Sequence, residues 1–130
     1  MIRFVVAAAL CVSLAACSIL KPEPAPAYVV FFIGKSVELT PDAQKIISKA
    51  AAKAKRMRPQ MVQIAGPGTH IVKGYDPSFA GPRMDAVANA LVADGVDKAL
   101  LVRTSLTTGA ADVDLSGASR VEIRLVPKTN

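Results

Sequence analysis

Apolar side chains recur along this 130-residue chain with two different periods. Tyr28 to Ile33 is apolar throughout, β-branched or aromatic, and bounded by Pro26 and Gly34, which predicts a first strand buried on both faces. From Thr40 the period changes to that of a helix. Thr40 reads as the N-cap, Pro41 as the first helical residue and Asp42 as an acid favouring the helix dipole. Ala43, Ile46, Ile47, Ala50, Ala51 and Ala54 then form one apolar stripe, and Pro59 closes the helix. "QMVQIAG" resumes as a short strand, and "PGTHIVKGYDPSFAG", Pro67 to Gly81, reads as a long loop rich in Gly and Pro. A second helix is expected from Pro82, with Met84, Val87, Ala88 and Leu91 on one face, stopping before Gly95. "KALLVRTSL" reads as a third strand. "SRVEIRLV" reads as a fourth, with Val121, Ile123 and Leu125 alternating against Glu122 and Arg124. The order β-α-β-α-β-β predicts an α+β sandwich, a mixed sheet with helices on one face.

The first residues follow neither period. "MIRFVVAAALCVSLAAC" has one basic residue, Arg3, and then an apolar or small run to Ala16 interrupted only by Ser13. The run is too short to span a bilayer core, which takes roughly 20 residues, and suits a secretory signal. Its end, Leu14-Ala15-Ala16-Cys17, resembles the lipobox of bacterial lipoproteins, which implies cleavage after residue 16 and a lipid on Cys17. Residues 17–27 then hold the lipidated Cys and a Pro-rich spacer, "SILKPEPAPA" being extended in character. Ser18 stands where an Asp would favour inner-membrane retention, so the outer membrane is expected. Residues 28–130 are left for one domain with one modest core.

Charge and cysteine usage narrow the chemistry. The formal charge is +6, or +5 once Arg3 leaves with the leader. An exported chain with few aromatics and no stacking motif is not expected to bind nucleic acid. Its densest basic run, "KAAAKAKRMR" from Lys49, is read as a solvated helix end whose cations suit the C-terminal dipole. Cys11 leaves with the leader and Cys17 carries lipid, so no disulfide is expected, and His70 alone builds no zinc site. No phosphate loop, dinucleotide fingerprint, nucleophile set or paired-carboxylate motif occurs. A non-enzymatic protein without a cofactor or metal is expected.

Three segments together resemble one family: "YVVFFIGKSVELTPDAQKII", "GYDPSFAGPRMDAVANALVADGV" and "SRVEIRLV" are similar to the OmpA-like C-terminal domain of peptidoglycan-associated lipoproteins. Family members show an "LTPxA" helix start, a "GHTD" turn, a "YNxxLSxxRAxxV" helix and a closing "NRRVEI" strand on a β-α-β-α-β-β fold. The resemblance covers roughly Tyr28 to Val126. It implies a lipid-anchored module in the outer membrane, facing the periplasm, that holds peptidoglycan non-covalently through the diaminopimelate side chain. The matched site residue is Arg83, at the family spacing from Tyr75, as the partner of the ligand carboxylate together with free N–H groups at the helix start. "GHTD" is replaced by "GPGTH", Gly66 to His70, so Asp76 or the Thr69 hydroxyl is the candidate for the missing anion, and Arg120 could line the same pocket or equally form a strand-edge salt bridge.

Two readings stay open at this stage. Either the module binds peptidoglycan, weakly for want of the family Asp, or it is a divergent structural or protein-interaction subunit of the envelope. Arg83 is expected in the first helical turn, disfavoured by the dipole. It could instead form a surface pair with Asp76 or Asp85, worth about 0–1 kcal/mol. Replacing it by Ala is accordingly expected to shift the unliganded fold by less than about 1 kcal/mol.

Overall fold

The computed structural model describes residues 25–67, 76–106 and 119–130. Strand β1 (Ala27–Phe31) is followed by helix α1 (Pro41–Met57) and strand β2 (Met61–Pro67). A 3-10 turn, Pro77–Phe79, runs into helix α2 (Ala80–Ala93), and a second such turn, Lys98–Leu100, precedes β3 (Leu101–Leu106) and β4 (Arg120–Val126). The sheet has the order β1-β4-β2-β3. β2 and β3 are parallel, as a helical crossover through α2 allows, and β4 is antiparallel to both β1 and β2. The mixed sheet with its helices is the α+β arrangement read from the element order.

Helix α1 begins and ends as its residues dictate. The Thr40 Oγ1 accepts the Ala43 N–H at 3.1 Å, and Pro41 takes the first position without wasting a donor. At the other end Arg58 is the C-cap in the left-handed region, φ 50°, and its N–H donates to the Ala54 carbonyl. The stripe Ala43, Ile47, Ala50, Ala51 and Ala54 is buried. It meets Val30, Val62, Ile64, Val121, Ile123 and Leu125 from the sheet and Val87 and Leu91 from α2. Alternation in β4 sends Glu122 and Arg124 to the other face.

One expectation is corrected in β1. Only Val30 in that strand is buried, and Phe31 is 54% exposed. An unbroken apolar run suits a strand covered on both sides, but β1 is an edge strand whose second face carries no helix. β4 rather than β1 takes the interior position, between β1 and β2.

Candidate functional site

The site forms where the β1–α1 loop meets the start of α2. Asp76 has extended backbone, its Oδ1 accepts the Ser78 N–H at 3.0 Å, and Pro77 fills the first position of the 3-10 turn. The helical path therefore starts at Asp76-Pro77 rather than at Pro82. Asp-Pro offers both a capping oxygen and a preset φ, whereas Ala80 and Gly81 offer no cap. Residues 77–81, expected as loop, are helical. Pro82 becomes the third residue of α2 and Arg83 the fourth, beyond the first unpaired N–H groups.

This changes what Arg83 meets. Its side chain points into the molecule, 3% exposed. The Nε donates to the Ser36 carbonyl at 3.0 Å and Nη2 donates to the Gly34 carbonyl at 2.8 Å. The guanidinium carbon lies 5.1 Å from the centre of the Phe32 ring and 5.2 Å from that of Phe79, within cation–π range of both. One side chain thus ties the β1–α1 loop to the start of α2. The small shift in stability expected on losing Arg83 does not fit this geometry, because two charge-assisted bonds and two ring contacts would go with it. The surface pair with Asp85 is also corrected: Asp85 forms an ion pair with Arg103 of β3.

Gly66 at the end of β2 explains how α2 comes so close. A Cβ there would lie 2.9 Å from the Met84 Sδ, so the helix rests its Met84 on bare backbone.

Between the two pinned carbonyls stands Lys35, exposed. The Asp76 pKa is lowered by the side-chain and backbone hydrogen bonds from Ser78, with desolvation acting the other way and the Lys35 charge making the smallest contribution. Lys35 is the residue that sequence reasoning missed. Nothing in "GKS" distinguishes it from the chain's other basic residues until the loop is seen pinned on both sides of it. The rim of the site thus carries an exposed cation, Lys35, whose charge reaches an exposed anion, Asp76.

The Asp76 shift has a sign that can be tested. A carboxylate whose folded pKa is lowered adds stability above the unfolded value, about 3.9, and loses it as pH falls through the lower folded value. Asp76→Asn keeps an acceptor for Ser78 but cannot titrate. Wild type is expected to be the more stable at pH 6, with the gap closing below about pH 3.9. Denaturant melts across that range check it, and a gap that persists at the lowest pH would put the effect elsewhere.

Arg120 does not join this group. It opens β4 opposite Phe31, on the face away from the helices, whereas Arg83 stacks on Phe32 of the helix-covered side. Its Nε is 3.5 Å from Glu122 Oε1 and, although buried, makes no hydrogen bond. Glu122 is drawn more strongly to Arg124, whose Nη2 and Nε donate to Oε2 at 2.7 and 3.1 Å. Thr69, His70, Tyr75 and Cys17 lie outside the described residues. Among the described residues no three His, Cys, Asp or Glu side chains gather as metal ligands would.

Solved structures share this arrangement of elements. The OmpA-like domain of FopA1 from Francisella tularensis superposes with a TM-score of 0.64 at 18% identity, covering 78% of this chain and 72% of that one. The fold is OmpA-like. The peptidoglycan-associated lipoprotein from Burkholderia pseudomallei is 24% identical with a TM-score of 0.56, over 76% of this chain and 88% of its own. The periplasmic domain of Helicobacter pylori MotB is 18% identical with a TM-score of 0.58, over 85% and 78%. No family model matches the chain. No curated protein matches it either. At these identities the OmpA-like likeness establishes architecture, and the chemistry of the site rests on this chain's own Arg83, Lys35 and Asp76.

Proposed function

We propose that this chain is a non-catalytic, lipid-anchored envelope module that holds peptidoglycan non-covalently on the periplasmic side of the outer membrane. The observation that carries the ligand reading is the pinned loop: Arg83 fixes the Gly34 and Ser36 carbonyls on either side of the exposed Lys35, on the same rim as the exposed Asp76 that starts the path into α2. A diaminopimelate end carries an ammonium and a carboxylate on one carbon. Asp76 is suited to the ammonium and Lys35 to the carboxylate, with Arg83 adding positive charge from below. Arg83 is then a positioning residue. Two of the structures with this fold come from a peptidoglycan-associated lipoprotein and a MotB periplasmic domain, which supports a place in the envelope.

Co-sedimentation of the protein with purified sacculi tests the reading. Binding through this site should depend on Asp76 and Lys35 individually, whereas attraction of a diffuse basic surface would be removed by moderate salt. Asp76→Asn and Lys35→Ala should each weaken binding about tenfold, in line with loss of one charge-assisted bond. Binding that vanishes with salt and ignores both substitutions would leave only attraction of a basic protein to an anionic polymer, and would favour the protein-interaction reading.

The anchor rests on Leu14-Ala15-Ala16-Cys17. Among the described residues no helix is long and apolar enough to cross a membrane. Two or more acyl chains hold a protein stably where one binds only marginally, at about 0.8 kcal/mol per buried CH₂. Cys17→Ala is expected to abolish acyl labelling and, unless an uncleaved leader holds the protein, membrane retention. Absence of label on the unaltered protein would refute the anchor.

A further inference from the structure

A cavity of about 400 Å³ opens at the other end of α1, between the helix C-terminus, the turn after α2, the start of β3 and the end of β4. Thirteen helical residues, 41–53, lie between its lining and the start of α1 next to the loop pinned by Arg83, a span of roughly 20 Å. Its walls are apolar at Pro59, Val96 and Leu100, and Lys55, Arg58 and Lys128 bring three cations to it. Asp97 is the acidic residue of the lining, and its Oδ1 is engaged in accepting the Ala99 N–H at 2.9 Å. The Lys55 side chain runs across Gly95, its Cδ and Nζ both 3.5 Å from where a Cβ would stand. Gly95 itself has φ 95°, so the turn that shapes this wall favours glycine.

Arg58 supplies a second, independent observation. It ends α1 with φ 50°, a conformation that helices usually assign to Gly because an L side chain is strained there. It is the one non-glycine residue with positive φ among those described. The chain thus places a long cationic side chain, at some cost to the fold, on the edge of a cavity whose other mobile arms are also cationic. Strain kept at a cavity edge is a pointer to use.

We propose that this cavity is a second binding site, for an acidic segment of a partner protein that inserts an apolar side chain between Pro59, Val96 and Leu100 and sets flanking carboxylates against Lys55, Arg58 and Lys128. Concavity and apolar walls select this occupant over a flat anionic membrane surface, which would meet the three cations but leave the cavity unfilled. Charge complementarity selects an acidic segment over a neutral one. The site stands apart from the peptidoglycan reading and does not depend on the anchor, so each can fail alone. A domain with both sites would hold the wall at one end of α1 and a protein at the other.

The test uses the full chain in detergent and a labelled peptide, acetyl-Glu-Glu-Leu-Phe-Glu-Glu-amide, followed by fluorescence anisotropy. Arg58→Gly should raise the denaturation midpoint by relieving the left-handed strain, and yet weaken peptide binding about tenfold. Lys128→Ala, beyond the last strand, should weaken binding similarly and leave the midpoint unchanged. Replacing the peptide's Leu and Phe by Ser should abolish binding. Overturning results are an Arg58→Gly or Lys128→Ala protein that binds like wild type, or a Ser-substituted peptide that binds as well as the original. Anionic phosphatidylglycerol vesicles that bind through these residues and are not displaced by the peptide would equally overturn it, in favour of a membrane contact.

Discussion

Arg83→Met is expected to destabilise the domain by about 3 kcal/mol in the absence of any ligand. Met approximates the length and apolar stem of Arg but donates nothing. The Gly34 and Ser36 carbonyls would each lose a charge-assisted bond of 2.8 and 3.0 Å, interactions worth about 1.5–3 kcal/mol apiece. Contacts with the Phe32 and Phe79 rings add about 0.5–2 kcal/mol. Against this stands the cost of burying a guanidinium, which Met does not incur and which returns a few kcal/mol. The bonds win because the carbonyls stay where they are. A net loss near 3 kcal/mol should lower the melting temperature by roughly 12–24 °C for a domain of this size.

The Lys variant separates charge from geometry. An ammonium can reach one carbonyl but lacks the planar fork that spans two, so Arg83→Lys should recover less than half of the loss. Sacculus binding should fall with either substitution, because the loop that carries Lys35 is no longer pinned at Gly34 and Ser36. A Met variant with an unchanged midpoint would show that the loop does not depend on Arg83 for its position. Intact stability with lost binding would instead make Arg83 a direct ligand contact.

Why the site was only half legible follows from the kinds of signal involved. Period and caps are local, so Thr40-Pro41, the Ala stripe of α1 and the alternation of β4 led directly to elements found in the structure. The spacing from Tyr75 singled out Arg83. What Arg83 touches is not local: its acceptors are 47 and 49 residues away in sequence, and they are backbone carbonyls that carry no residue signature. The start of α2 is ambiguous in sequence because two prolines, Pro77 and Pro82, both suit a first helical position, and only the Asp before Pro77 breaks the tie. β1 misled for another reason. An apolar run says that a strand is buried somewhere, whereas edge or centre is decided by the order β1-β4-β2-β3, which depends on a strand from the other end of the chain. For Arg120, pocket lining and a strand-edge salt bridge read equally well in sequence, and strand parity sends it to the opposite face, 3.5 Å from Glu122.

Strand parity also sets the largest effect expected outside the site. Ile123 is fully buried in β4, opposite Tyr28 of β1 on one side and Ile64 of β2 on the other. Ile→Ala in a core costs about 2–5 kcal/mol, the amount depending on how far the surroundings collapse into the space left. Here collapse is hindered, because Ile64 of β2 and Val121 and Leu125 of β4 are held by ladder bonds on the two interior strands, and about 4 kcal/mol is expected. Such a loss is a large share of the roughly 5–15 kcal/mol that holds a small domain together. The neighbouring Arg124 gives the contrast. It is half-exposed on the other face, its bonds to Glu122 compete with water, and Arg124→Ala should cost less than about 1 kcal/mol. Denaturant melts of the two variants, one residue apart, would read the register of β4 directly. Equal losses, or a larger loss at Arg124, would mean that β4 is shifted by one residue and that its other face meets the helices.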